Sequence, residues 1–593
     1  MNIDICPELF QGENLPIEFI LFYLHNHNSP GVQAFLINKL YQVDLSQISF
    51  YLPQLIRMSI NREDYGAYSH FFTDIASRDY LLGVKMYWIF QAELKTGKFT
   101  KKIEEITHAL EKQIVQGNTP IFSLFFQNCT QNFSYLRAEY FTDQYKFVHT
   151  LTKISIMLIN EGQDKDSTLH AYLTHLDTWL KEIRFWYGRK EDEYGKRLFR
   201  GIVLPFNADE QFVRIPSLEA RCFSTKARVP YKVVIESISI NEPDPISLES
   251  EELSQLSEDI LDNLSIDDIS ILDKESARFE GLKEYAKQNF SQKILPNTED
   301  LSYEPVQNPW GEKWEHAKIR IKSSSPFSNY ITWDAKAFIV KGHDDLRQEL
   351  LAMQIIKRCK DILKDAQINI YLRPYEILIV SDNSGIIECV PDAVSLHSVK
   401  KCFKTSRALT RIFLIHWGNR FEEAQKNFVE SMAGYSLVCY LLNLKDRHNG
   451  NILLDSEGHV VHIDFGFFLT NSPGKLNMES APFKLTKEMI ELMGGYEGEM
   501  FNYYVMLMYK GFLVLRKYSA ELSKLVEMLT PVENLQCFYD PVRAVKEFRA
   551  RFCLEAGDDE CLKIIQGLVL SAAENWRTDQ YDVFQWITNN ILY

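Results

Sequence analysis

Lys445-Asp-Arg-His-Asn-Gly-Asn451 and His462-Ile-Asp-Phe-Gly466 are the two strings on which the reading of this chain turns. Between them the sequence spells strand, turn, strand: Ile452 to Leu454, a Ser456-Glu457-Gly458 turn, then His459 to Ile463. A hairpin of this kind puts Asp446 on the loop entering it and Asp464 on the loop leaving it, with Asn451 facing the second acid. Phosphoryl transfer from ATP needs this set of groups: an acid to orient the attacking hydroxyl, and an amide oxygen plus a carboxylate to hold Mg²⁺ on the triphosphate. Asp446 is therefore the candidate base or positioning acid, with His448 near the γ-phosphate. The residues leave open which of the two takes the hydroxyl proton. Asn451 and Asp464 are the candidate metal ligands, Arg447 a brace for the loop, and His462 a packed structural histidine.

Composition sets the frame around these strings. At 593 residues the chain exceeds one core and divides into two or three domains. It is 46% hydrophobic and 13% aromatic, enough apolar surface for globular domains. Its apolar runs, such as Ile17 to Leu24, are too short or too interrupted for the ~20 residues a bilayer span needs. The first residues carry no signal-peptide pattern, so membrane contact is expected to be peripheral. The ten cysteines are scattered without a C-x-x-C pair, which points to reduced cytosolic thiols and not to a disulfide framework or metal site. Net charge is −15, yet Glu242 to Glu275 holds twelve acids and one base. The remainder carries only −4, and with no basic stripe nucleic-acid binding is excluded.

Along the chain, the first ~190 residues read as antiparallel helices. Ser29-Pro30 reads as a cap and first helical position, and Asp44 with Gln47 as a capping box for one helix carrying Leu45, Ile48, Leu52, Leu55 and Ile56. Leu169, Leu173, Leu176, Leu180 and Ile183 mark another helical face. Near residue 200 β-rich runs begin: Ile202 to Leu204, Phe212 to Ile215, Tyr231 to Ile238. The acidic stretch, roughly 241–305, is too poor in apolar residues to fold alone and is expected to be largely disordered. Strands resume at Lys336 to Lys341, then Ile370 to Leu372, Glu376 to Val380 and Ile386 to Val390, with an amphipathic helix from Asp344 to Lys364. The remainder is mainly helical, opening with a helix at about 426–444. The expected class is α+β: an all-α region over 1–195, a β-rich lobe over 196–390 containing the acidic insertion, and a mainly α lobe over 391–593. The last holds the catalytic loop 445–451, an activation segment 464–485 and a C-terminal helix.

Further candidates follow from this outline. Lys341 ends a strand just before Asp344-Asp-Leu-Arg-Gln-Glu349, so its ammonium can reach an ATP phosphate while Glu349 keeps it pointed inward. Adenine needs a backbone donor and acceptor on the segment joining the lobes, and the Val390 N–H and Glu388 C=O hold that position. The stretch Phe467 to Phe483 contains one base, Lys475, with Lys484 just beyond, and one acid, Glu479. So few cations suit a lipid head carrying only its phosphodiester charge, with Lys475 and Lys484 its candidate contacts.

The order Asp-Arg-His, in place of His-Arg-Asp, together with Asp464-Phe-Gly466 and Asp344-Asp-Leu-Arg-Gln-Glu349, resembles the phosphoinositide 3-/4-kinase superfamily. The type III beta phosphatidylinositol 4-kinases are the nearest likeness. It covers Ser29 to Leu55, 201–238 and essentially all of 305–593, through Lys445 before Asp-Arg-His, Phe465-Gly-Phe467, Phe483-Lys-Leu-Thr486 and Met500-Phe-Asn-Tyr-Tyr504. The resemblance implies a HEAT-like accessory (PIK) helical domain followed by a two-lobed lipid kinase. It implies transfer of the ATP γ-phosphate to the inositol 4-hydroxyl of phosphatidylinositol, with Mg²⁺ or Mn²⁺. Ser325-Pro-Phe-Ser-Asn-Tyr330 resembles the family's phosphate loop, lying between two β-runs, with Ser325 and Ser328 as contacts; Tyr375 matches a tyrosine behind the nucleotide. Also implied are a cytoplasmic protein peripheral to Golgi or endosomal membranes, Rab-type GTPase or calcium-sensor partners, and a last helix near the membrane, here with Phe584, Trp586, Ile587 and Ile591. One departure is Gly342-His343 after Lys341, where the family has its glycine directly before the two acids. A 3-kinase and a related protein kinase are the alternatives, separable by whether phosphate enters lipid or protein.

Overall fold

The computed structural model describes residues 15–62, 66–94, 99–116, 134–162, 164–194, 201–206, 210–223, 228–240, 242, 308–403, 409–473, 480–530 and 535–592. Its first part is helical: α1 (Ile17–Asn26), α2 (Pro30–Leu40), α3 (Leu45–Phe50), α4 (Leu52–Asn61), α5 (Ala67–Arg78), α6 (Tyr80–Leu94), α7 (Thr100–Gln116), α8 (Ser134–Met157) and α9 (Lys165–Tyr194). The α9 stripe from Leu169 to Ile183 is buried as its spacing predicts. The single helix expected over 45–56 breaks at Tyr51 (φ −91°, ψ 10°). Pro53 is the reason: its ring would strike the carbonyl four residues back, so it is accommodated in the first turn of a new helix. Neither Ser29 nor Asp44 makes a side-chain cap bond, so the expected capping box does not form. Helix α6 is apolar almost all round (Val84, Met86, Trp88 and Phe90 are buried), as a helix surrounded by protein must be. Gly83 lets it meet α5, since a Cβ there would lie 2.9 Å from that of Ala76.

The second part begins with a six-stranded antiparallel sheet. Its strands are β1 (Glu210–Arg214), β2 (Arg221–Cys222), β3 (Tyr231–Ser239), β4 (Asp334–Gly342), β5 (Ile377–Ser381) and β6 (Ser384–Glu388), in the order β1-β3-β4-β6-β5 with β2 beside β3. Helix α10 (Trp314–Ser323) precedes β4, and α11 (Arg347–Asp365) follows it. Helix α6 packs on β5, and α8 lies across β4, β5 and β6. A separate apolar cluster, with Val213, Val234, Ile238, Ile321, Phe327, Tyr330 and Trp333, seats the turn after α10 on the sheet.

Three strand expectations change. Ile202 to Leu204 contributes one bridge, Ile202 to Phe212. Ile370 to Leu372 is no strand: the Tyr371 N–H donates to the Glu430 carbonyl (3.2 Å), and Tyr371 stacks on His459 at 3.9 Å. Leu372 is buried, and Ile370 is half-buried where Gly434 leaves it room, without joining a sheet. The Ser325 turn follows a helix instead of a strand. The acidic stretch lies outside the described residues save Glu242, whose carboxylate accepts from the Ile331 and Thr332 N–H groups.

The remaining part is mainly helical. It comprises β7 (Ala393–Ser395), α12 (Leu396–Cys402), α13 (Leu409–Trp417), α14 (Phe421–Leu442), β8 (Ile452–Asp455), β9 (Val460–His462), α15 (Lys487–Leu492), α16 (Glu499–Lys517), α17 (Ser519–Glu527), α18 (Pro541–Ala550), α19 (Asp558–Ala573) and α20 (Trp576–Asn589). Helix α14 is its central post, ended by Asn443 in the left-handed conformation (φ 50°), which turns the chain toward residue 445. The β8–β9 hairpin pairs Ile452 with His462 and Leu454 with Val460. Asp455 closes its turn by accepting from the Glu457 and His459 N–H groups (2.9 and 2.8 Å). Among the described residues no helix is long and apolar enough to cross a membrane.

Candidate active site

The hairpin register fixes the site's lower wall. The Ile463 N–H donates to the Asn451 carbonyl (3.1 Å), so the residue after Ile463, Asp464, stands beside Asn451. Asp446 and Asp464 both take positive φ (62° and 59°), a left-handed conformation that strains most side chains but that Asp and Asn adopt readily. Arg447 supports both. Its guanidinium donates to the carbonyls of Lys445 (2.9 Å), Ile463 (2.8 Å) and Asp464. The Asn451 amide nitrogen donates to the Asp446 carbonyl (3.0 Å), which leaves its oxygen as the group available to a cation.

His448 accepts the Gly450 N–H on Nδ1 (3.1 Å), which assigns the ring proton to Nε2, 3.8 Å from Asp446 Oδ1. Burial lowers its pKa, outweighing the nearby Asp446 charge, so the ring is neutral near pH 7. His462 stacks on Tyr435 (4.8 Å) and meets Cys439 Sγ at 3.5 Å, a packed structural role as expected.

The upper wall is β4 and the first turn of α11. Lys341 Nζ lies 3.4 Å from Asp344 Oδ2 and 3.6 Å from Glu349 Oε2. Burial opposes its charge, but Glu349, Asp464 and Asp344 together hold the ammonium above its ordinary pKa. Asp464, on the opposite wall, is near enough to add to that pull. Its place in the cleft strips part of its hydration, though its outer side meets solvent, and Lys341 and Arg447 keep its carboxyl below the usual range. Glu349 is buried and accepts the Tyr375 hydroxyl. Burial, with help from Asp464 and Asp344, raises its pKa against the pull of Lys341. Gly342-His343 fits because His343 turns left-handed (φ 57°) and the Gly342 N–H donates to Ser155 of α8 (3.0 Å).

Other candidates are placed unevenly. Ser325 is buried, its hydroxyl donating to Glu236 and accepting from the Phe327 N–H (3.0 Å). It supports its loop and does not present its hydroxyl to a phosphate. The Ser328 N–H donates to the Ser325 carbonyl (3.2 Å), and its side chain is half-buried. In the connector the Glu388 and Cys389 N–H groups are committed to Glu376 (2.9 Å) and Ala337 (3.0 Å), so Val390 carries the first N–H beyond the sheet. The Glu388 carboxylate pairs with Arg373 (3.1 Å). Lys475 lies outside the described residues. Lys484 is a correction: its ammonium is buried against both oxygens of Asp582 on α20 (2.7 Å each), which removes it from a headgroup.

Several residues escaped sequence reasoning. Gln348 donates to the Phe465 and Gly466 carbonyls (2.9 and 2.6 Å) and accepts the Cys537 N–H (3.0 Å). From α20, Tyr581 donates its hydroxyl to Asp446 Oδ1, and Gln585 donates to that hydroxyl (2.7 Å). The Asp-Leu-Arg-Gln-Glu string contains Gln348, but nothing near Tyr581 signals a partner 135 residues away. Among the described residues no three His, Cys, Asp or Glu side chains group for a metal. A site of one carboxylate and one amide oxygen suits an oxygen-seeking divalent cation that completes its shell with phosphate and water.

Comparison with known proteins gives two family matches. Residues 335–537 match the family described as phosphatidylinositol 3- and 4-kinase, and 19–91 match the PI4KB/PIK1 accessory (PIK) domain. The chain is 30% identical to phosphatidylinositol 4-kinase beta of Xenopus tropicalis, over 98% of this chain and 83% of the relative. It is 45% identical to phosphatidylinositol 4-kinase beta 1 of Arabidopsis thaliana over 48% of this chain, and 42% identical to a phosphatidylinositol 4-kinase of Dictyostelium discoideum over 50%. In each of these two alignments the chain spans 26% of the relative's length.

Proposed function

Since the chain belongs to the phosphatidylinositol 4-kinase beta family, we propose that it transfers the γ-phosphate of ATP to the inositol 4-hydroxyl of phosphatidylinositol at a membrane surface. The observation that carries this reading is the joining of the two walls: Glu349 pairs with Lys341, and its neighbour Gln348 bonds to the carbonyls of Phe465 and Gly466 just after Asp464. Asp446 accepts the proton of the attacking hydroxyl, and neutral His448 donates its Nε2–H to the phosphoryl oxygens. Lys341 neutralises phosphate charge, held in place by Glu349, itself held by Tyr375. Asn451 and Asp464 would hold Mg²⁺ or Mn²⁺, which when bound neutralises charge on the phosphates. Adenine takes the Val390 N–H and the Glu388 C=O, and Ser328 offers its hydroxyl to the phosphates.

The lipid side is supported by α20. One of its faces holds Tyr581 and Gln585 against Asp446 of the catalytic loop and Asp582 against Lys484, while Phe584, Trp586 and Ile587 are exposed. An apolar face beside the acceptor acid suits the boundary of a bilayer. By family likeness, Lys475 contacts the headgroup, and the protein sits peripherally on Golgi or endosomal membranes and engages a Rab-type GTPase or calcium sensor.

The test is an assay on phosphatidylinositol vesicles with headgroup analysis of the product, comparing the native chain with Asp464→Asn. Formation of the 4-phosphate, reduced about 1,000-fold in the variant, is expected, since a lost metal ligand costs several kcal/mol of transition-state stabilisation. Phosphate on the 3-hydroxyl, or on protein alone, would overturn the reading.

A further inference from the structure

Three consecutive residues open α11, and each is held by a different part of the molecule. Successive helical side chains point about 100° apart. Glu349 meets Lys341, and Gln348 meets the carbonyls that follow Asp464. Arg347, the first helical residue, points the third way, into the accessory helices. There its guanidinium lies 3.2 Å from Glu93 on α6, whose other oxygen is 3.0 Å from Arg57 on α4. Asp345 takes the remaining side of Arg347 (3.0 and 2.8 Å).

The arrangement is expensive for the helix. A cation at a helix N-terminus opposes the macrodipole. Arg347, Glu93 and Arg57 are also each less than one-tenth exposed, so their desolvation must be offset by pairing. Burial would depress the arginine, yet Asp345 and Glu93 raise its pKa and keep it charged. A second tie lies two turns on, where Gln354 donates to Gln54 (2.9 Å) and to the Phe50 carbonyl (2.6 Å). Two ties at different heights fix both the position and the rotation of α11.

We propose that Glu93 is a positioning residue for phosphoryl transfer. Through Arg347 it sets the rotation of the first turn of α11, and so places Glu349 on the nucleotide lysine and Gln348 on the metal-bearing segment. The accessory helices are on this account part of the nucleotide site's alignment. The inference rests on the kinase reading above, but its test does not require lipid.

Glu93→Gln keeps size and loses charge; Glu93→Asp keeps charge; His25→Gln alters a different contact, that of α1 with Glu527. Affinity for a fluorescent ATP analogue with Mg²⁺, amide hydrogen exchange and melting temperature are measured on the full chain. A loss of about ten-fold in nucleotide affinity is expected for Glu93→Gln, a coupling of ordinary size, with faster exchange confined to 344–350 and 464–468. Glu93→Asp recovers most of the loss, and His25→Gln keeps native affinity. Native affinity in Glu93→Gln, an aspartate no better than glutamine, exchange accelerated throughout, or an equal loss in His25→Gln would each overturn the proposal. A native chain that binds nucleotide normally but phosphorylates no lipid would instead sink the proposed function and leave this inference standing.

Discussion

The catalytic hairpin and the first turn of α11 face each other across the cleft, and they are held in opposite ways. Arg447 takes carbonyls no more than 17 residues away, and Asn451 reaches back five residues to Asp446. Gln348, by contrast, bonds to residues 117 and 118 positions away, and Arg347 to one 254 positions away. The hairpin's main-chain geometry is largely its own, with Tyr581 a distant group on its Asp446 carboxylate, whereas the geometry of the α11 turn belongs to the assembled molecule. Damage to the first should therefore appear in turnover, and damage to the second in nucleotide affinity and in sensitivity to the accessory helices.

The comparison can be broken most forcefully at Arg447. Arg447→Ala strands the buried Lys445 carbonyl, at about 1–3 kcal/mol, and leaves the part-buried carbonyls of Ile463 and Asp464 without this donor at a smaller cost. Turnover is expected to fall at least about 100-fold, with nucleotide affinity far less changed. Equal loss of both, by steady-state kinetics and direct binding, would show that the hairpin is not self-contained.

Glu349→Gln probes the other wall. The KM for ATP should rise about ten-fold, about 1.4 kcal/mol, with a smaller fall in kcat. Stability carries a second signature. Burial raises the Glu349 pKa above its ordinary 4.5, so the folded state holds this proton more tightly than the unfolded state does, and stability falls as pH climbs past 4.5. Melting temperature plotted against pH should lose that downward slope in the variant.

The smallest effect lies farthest from the cleft. His25 on α1 has its pKa lowered from 6.5 to about 4 by burial and by Lys524, against the pull of Glu527. The unfolded chain binds more protons between those values, so this contribution is full above pH 6.5 and is lost as pH falls toward 4. His25→Gln should flatten melting temperature over that interval without moving the KM for ATP.

How much was legible follows the same division. Asp446, His448, Asn451 and Asp464 were readable because a hairpin converts short spacing into proximity. Lys341 and Glu349 were readable because one strand and one helical turn join them. Ser325, implied by likeness to the phosphate loop, and Lys484, expected from the sparse charge of its segment, are each instead taken up by a distant carboxylate, Glu236 or Asp582. Tyr581 and Glu93 give no local sign, and Gln348 none beyond the motif that contains it, because their partners arrive only with tertiary packing. The false strand at Ile370 to Leu372 has a related cause. Apolar residues packed among helices look the same in sequence as those of a sheet.

The left-handed backbone at Asp446 and Asp464 governs how this cleft can be mutated. A branched replacement such as valine or threonine would first be a steric injury and only then a loss of charge, and the two could not be told apart. Asparagine sits comfortably in that conformation and glycine more so. A paired set of asparagine and glycine substitutions would therefore separate what each carboxylate contributes as a charge from what its unusual main chain contributes as a hinge.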